Sequence, residues 1–145
     1  MHVHTHSPTT LVSTFYQAIN NHDRASITEF VDTWFDPDAA VQFPASLPYG
    51  GRLSGAKALR GLFGAMASGR TTQGPKRVNV VDIAGTADRV FAELEFDWYP
   101  GGEAAPIASA ACEVWTFRGG RVTEIRAYYW DAKQLADVAA RSSDQ

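Results

Sequence analysis

Cysteine is nearly absent from this chain, for Cys112 stands alone among 145 residues. A lone thiol can form no internal disulfide and has no CxxC partner for a redox or metal site, so Cys112 reads as a buried, inert side chain. Long apolar runs are missing too. No stretch approaches the ~18 apolar residues of a membrane-spanning helix, and the N-terminus lacks the basic and apolar regions of a secretory signal. A cytoplasmic protein with no membrane partner is expected. An excess of basic charge is also lacking: 13 Lys and Arg against 16 Asp and Glu leave a net charge of −3. The arginines are scattered singly, so the electrostatic footprint of a nucleic-acid binder is missing. A small molecule or another protein chain is the partner class that remains.

What is present is globular material. With 45% hydrophobic and 20% charged residues the chain can bury a core and is not mainly disordered, and a domain of this size holds one core. No repeat or compositional shift divides it. Residues 9–140 are expected to form one domain between flexible tails at 1–8 and 141–145. In the first tail His2, His4 and His6 alternate and would share one side of an extended segment. A metal-holding tract and a frayed terminus both fit that spacing, and no role is assigned to it.

Helical periodicity begins at Thr10, with Leu11, Phe15, Ala18 and Ile19 on one stripe, and fades at Asn20-Asn21. Asp23 is a suitable N-cap for a second helix that buries Ile27, Phe30, Val31 and Trp34. Pro37 breaks that helix within Phe35–Asp38, and Ala39–Phe43 reads as a short strand stopped by Pro44. The Pro- and Gly-rich stretch to Gly55 predicts a loop with a brief strand around Arg52-Leu53. A third helix, capped by Ser54 and ended by Gly69, presents Leu59, Leu62, Phe63 and Met66. From Lys76 the period becomes two. Turn signals at Gly85–Asp88, Pro100–Gly102 and Gly119-Gly120 divide it into antiparallel strands at Arg77–Ala84, Arg89–Tyr99, Ile107–Arg118 and Arg121–Trp130, and a helix follows over Ala132–Ala140. The expected fold is α+β: a curved antiparallel sheet wrapped by three N-terminal helices, forming a cone with an internal pocket.

Alternation assigns the faces of the sheet. Val90, Ala92, Leu94, Phe96 and Trp98 form an apolar inner set, and Ala111, Glu113, Trp115 and Phe117 share a face on the next strand. On the last strand either Thr123, Ile125, Ala127, Tyr129 and Asp131 or the set Glu124, Arg126, Tyr128 and Trp130 points inward, and pattern alone does not decide between them.

The element order and the strings FYQAINNHD, FDPDAAVQFP, LPYGGRLSGAKAL and EVWTFRGGRVTEIRAYYWD resemble the SnoaL-like members of the nuclear transport factor 2-like superfamily over roughly residues 9–135. That superfamily includes polyketide cyclases, ketosteroid isomerases, dehydratases, epoxide hydrolases and non-enzymatic binding or assembly domains. The resemblance implies that Glu113 occupies the position of the protonated acid in the isomerase oxyanion hole. It also implies that Ile125, Ala127 and Tyr129 lie on the pocket wall, which favours the inward set containing Asp131. It places Phe15 where the isomerases have a tyrosine and Phe43 where they have the aspartate base. With both polar groups gone, steroid isomerisation is not expected.

Glu113 is the leading candidate for chemistry, as a general acid or base with its pKa raised by apolar surroundings. An equally open reading makes it structural, paired with an arginine or accepting from Tyr16, Tyr129 or a loop amide. Asp131 fits either a second carboxyl at the pocket mouth or the N-cap of the last helix, and Tyr129 would assist. Phe15, Tyr16, Phe43, Tyr49, Phe63, Phe96, Trp98, Trp115, Ile125 and Ala127 are the candidate ligand contacts, although large aromatics also serve as plain core. His22, at the turn between the first two helices, suits capping better than catalysis. No metal site or cofactor is expected: no other histidine lies within the fold, and Gly50, Gly51 and Gly55 follow no strand of a βαβ unit. The expected ligand is a small apolar carbonyl or cyclic compound. Glu93, Glu95, Glu124, Arg126 and Tyr128 on the outer sheet face predict a homodimer.

Overall fold

The computed structural model describes residues 7–143. His2, His4 and His6 lie outside the described residues. Four helices and six strands follow in the order α1 (Pro8–Asn20), α2 (Arg24–Trp34), β1 (Phe35–Phe43), β2 (Gly51–Ser54), α3 (Ala56–Ser68), β3 (Gly74–Gly85), β4 (Arg89–Tyr99), β5 (Ile107–Arg118), β6 (Arg121–Tyr129) and α4 (Ala132–Ser143). The strands make one open sheet in the order β2-β1-β6-β5-β4-β3. Neighbours β3 to β6 are antiparallel, as their short turns require, but β1 runs parallel to β6. The sheet is therefore mixed, which corrects the antiparallel expectation. Among the described residues no helix is long and apolar enough to cross a membrane.

Local chemistry sets the element ends. Ser7 caps α1 by accepting from Thr10 N–H at 3.2 Å, and Pro8 fills the first turn, where its missing N–H costs nothing. Asp23 caps α2 through Ser26 N–H at 3.1 Å, as expected. Pro37 does not open a loop. The chain passes from Trp34 straight into β1, and Pro37 falls between Phe35 and Ala40, where the register with β6 shifts and no ladder bond is needed from it. Ser54 does not cap α3 either: it ends β2 opposite Ala40, and Gly55 at φ +100° takes the capping position with no side-chain bond. Gly69 closes α3 in the left-handed conformation.

Helices α1 to α3 cover the concave face. On β4 the inner residues Val90, Ala92, Leu94, Phe96 and Trp98 are all buried and alternate with exposed neighbours. On β6 the buried set is Val122, Ile125 and Ala127. Thr123 drops out of the predicted inner set because a bulge between Thr116 and Phe117 shifts the register by one residue there. Phe15 ties the helices to the sheet, with its ring 4.9 Å from Phe63, 5.0 Å from Trp115 and 5.4 Å from Phe30 in edge-on contacts. α4 adds Leu135 and Ala139 to the same core.

Candidate functional site

The helices do not fill the cone. A cavity of about 200 Å³ remains between α1, α3 and the concave face, and its walls are almost wholly apolar. Of the side chains expected to contact a ligand, Phe15, Tyr16, Phe43, Tyr49, Phe63, Phe96 and Ile125 line it, with Glu113 and Tyr129. Trp98, Trp115 and Ala127 do not. The two indoles are fully buried behind the wall, and Ala127 lies directly opposite Glu113 in the β5–β6 register, where its small side chain leaves room for the carboxyl.

Each indole orients a polar group on the wall. Trp115 Nε1 donates to Tyr16 Oη at 3.0 Å, and Tyr16 O–H donates to Glu113 Oε1. Trp98 Nε1 donates to Tyr49 Oη at 2.8 Å, and Tyr49 Oη stands 2.8 Å from Tyr129 Oη, with either hydroxyl able to donate. When Tyr49 donates, the hydrogen of Tyr129 is left for a ligand oxygen. Glu113 and Tyr129 are diagonal neighbours on the same face, since Glu113 pairs with Ala127 and Ala111 with Tyr129. The cavity wall thus carries one carboxyl, the hydroxyls of Tyr16, Tyr49 and Tyr129, and no basic side chain.

Burial pushes the Glu113 pKa above the ordinary carboxylate value, and the Tyr16 hydrogen bond only partly opposes it. Burial, and then the neighbouring Glu113 charge, raise Tyr16 well above a free phenol. Tyr129 is raised well above it too, first by burial and then by Tyr49 and Glu113. At neutral pH both phenols keep their protons.

Asp131 does not join them. It is exposed beyond the end of β6 and accepts from Gln134 N–H at 3.1 Å as the cap of α4. The inward set that the resemblance favoured ends with β6 at Tyr129, and the next N–H, of Trp130, donates to Ala110 O. Trp130 is 85% exposed. Cys112 is half-buried on the outer face rather than in the core. His22 stays at its turn, with Nδ1 3.3 Å from Ala67 O. Among the described residues no three His, Cys, Asp or Glu side chains converge as a metal site would require.

Sequence reasoning missed part of the wall. Ile19 and Met66 line the cavity one helical turn from Phe15 and Phe63, so helical spacing carried that signal. Thr71, Gln73, Gly74 and Pro75 also line it, on a segment with no periodicity. That segment is held in place by Gln73 Nε2 donating to Pro100 O at 2.8 Å, a contact between distant loops.

Solved structures share this architecture. Bal32a from a soil-derived mobile gene cassette is 24% identical over 88% of this chain and 92% of its own, with a TM-score of 0.71. A Catenulispora acidiphila protein of ketosteroid isomerase-like fold, in complex with trimethylamine, is 18% identical over 85% of this chain and 86% of its own, with a TM-score of 0.63. TerC, co-crystallised with polyporic acid, is 16% identical over 90% of this chain and 98% of its own, with the same TM-score. Likeness at this level fixes the fold. No curated protein sequence matches the chain. The SnoaL-like domain profile matches residues 12–125, and this chain belongs to the SnoaL-like domain family.

Proposed function

We propose that this domain binds a small, largely apolar carbonyl or cyclic compound in its central cavity and acts on it by carboxylate acid/base chemistry without a cofactor. The observation that carries the reading is the Glu113 carboxyl on the wall of an apolar cavity. One of its oxygens is taken by Tyr16, and Tyr129 is a hydroxyl on the same wall whose hydrogen is free for a ligand when Tyr49 donates to it. A carboxyl in such surroundings is costly unless it is used or satisfied, and one Tyr16 bond satisfies half of it. In the reaction class that suits this pair, Glu113 takes the proton from the carbon beside a carbonyl. The C–H electron pair moves into the enolate, whose oxygen accepts from Tyr129 O–H, and Glu113 returns the proton to a carbon of the enolate.

The volume supports a ligand class. An apolar cavity of about 150 Å³ takes benzene, so 200 Å³ suits a substituted single ring rather than a fused polycycle. The experiment is α-proton exchange of alkyl-substituted cyclohexanones in D2O, followed by NMR with wild type and Glu113→Gln. We expect exchange by the wild type and a loss of about 100-fold or more in the variant. Binding without exchange by either protein would leave a non-catalytic ligand-binding domain, and no binding would remove the cavity from consideration. We also propose that the chain forms a homodimer through its outer sheet face, supported by the exposure of Phe91 (44%) and Tyr128 (51%) there.

A further inference from the structure

A second hollow of about 300 Å³ lies beside the central cavity, between the C-terminal ends of α1 and α3 and the start of β3. Ile19, Met66, Thr71, Pro75 and Val78 line both spaces, so the two adjoin along these residues. The two differ in charge. The central cavity has one acid and no base, whereas the hollow has His22, Lys76 and Arg77 and no acid. Asp97 lies 3.9 Å from Arg77 Nη1 and opposite Lys76 in the β3–β4 register. The lining side chains carry two cations and no carboxylate, on a chain whose net charge is −3. Lys76 Nζ is held 4.8 Å above the Tyr99 ring at the rim.

The backbone is shaped for this arrangement. His22 and Arg77, at φ +56° and +54°, are the non-glycine residues with positive φ among the described residues, and both line the hollow. That conformation is costly for a residue with a Cβ, and such residues concentrate at binding sites. The Asn20 amide fixes the two segments together: Nδ2 donates to Val78 O and Oδ1 accepts from Val78 N–H, at the bulge between Lys76 and Asn79.

We propose that the hollow is an anion subsite, taking the carboxylate or phosphate group of an amphipathic ligand whose apolar body occupies the central cavity. The inference rests on the ligand-binding reading of that cavity. An anionic group beside Glu113 meets no counter-charge, whereas in the adjoining hollow it meets Lys76 and Arg77. Calorimetric titration with n-octanol, octanoate and octyl phosphate tests this, using wild type and a Lys76→Gln/Arg77→Asn double variant. Asn tolerates positive φ at position 77. We expect an anionic probe to bind the wild type about five- to tenfold more tightly than octanol at low salt, and the tighter of the two anions names the group. The advantage should vanish in the double variant, whose octanol binding stays unchanged, and should shrink in about 0.5 M NaCl. Octanol binding with no anion advantage, or an advantage that survives the double substitution, overturns the subsite and leaves the cavity reading standing. Failure of all three probes to bind overturns both.

Discussion

Tyr16 joins the core to the chemistry, since its oxygen accepts from Trp115 and its hydrogen goes to Glu113. In Tyr16→Phe the indole N–H loses its acceptor and Glu113 its donor. Buried donors left without partners cost about 1–3 kcal/mol, so chemical denaturation should show a loss of that size. Because the Tyr16 bond opposes the upward shift imposed by burial, the Glu113 pKa should rise further in the variant, which carboxyl ¹³C NMR titration can follow. A downward movement would show that Tyr16 does not stabilise the carboxylate. Glu113 also sets a pH dependence. Its folded pKa lies above its unfolded value, so the native state holds the proton more tightly in the interval between them. The stabilisation is complete below the unfolded value, about 4.3, and is lost as pH rises through the raised folded value. Wild type should lose thermal stability across that window relative to Glu113→Gln. Parallel pH curves would contradict the shift. Glu113 was legible because period-two counting works inside a strand, whereas Asp131 stayed open between wall and cap because it lies past the end of one, and it is the cap.

At the scale of elements, the predicted helices and long strands match the structure wherever one local signal dominates: a capping aspartate before α2, apolar alternation on β4, left-handed Gly69 after α3. What was not legible depends on partners distant in sequence. The parallel pairing of β1 with β6 joins segments about 80 residues apart, and no local pattern encodes it. The bulges on β1 and β6 exist only relative to a neighbouring strand, so Pro37 looked like a helix breaker and Thr123 like an inner residue. Part of the cavity wall was hidden for the same reason, because the 71–75 segment has its position from Pro100 rather than from its own residues. Asp131→Ala tests the assignment of that residue to a helix end. Loss of the cap should cost about 1 kcal/mol of stability while ligand affinity and proton exchange stay at wild-type values. A specific loss of exchange would return Asp131 to the site.

For the whole molecule, the helices gathered on the concave face leave the convex face of β4, β5 and β6 bare. Two adjacent cross-strand rows occupy it, Phe91–Val114–Arg126 and Glu93–Cys112–Tyr128. Exposed rings beside opposite charges form the kind of surface that copies of one chain can share. In the proposed dimer, a two-fold axis running along β5 would lay the β4 side of one copy, with Glu93 and Glu95, on the β6 side of the other, with the partner's Arg126. Because each copy supplies both sides, that contact closes on itself and stops at two chains. Sedimentation should therefore give twice the 15.8 kDa chain mass at micromolar concentration. Tyr128→Glu places a new acid against the partner's Glu93 across the axis, so this variant should sediment as a single chain. Its central cavity, on the opposite face of the sheet, should still bind substituted cyclohexanones with wild-type affinity. A wild type that sediments at one chain mass would refute the dimer, and a monomeric variant that lost its ligand would show that pairing through the outer face shapes the cavity within.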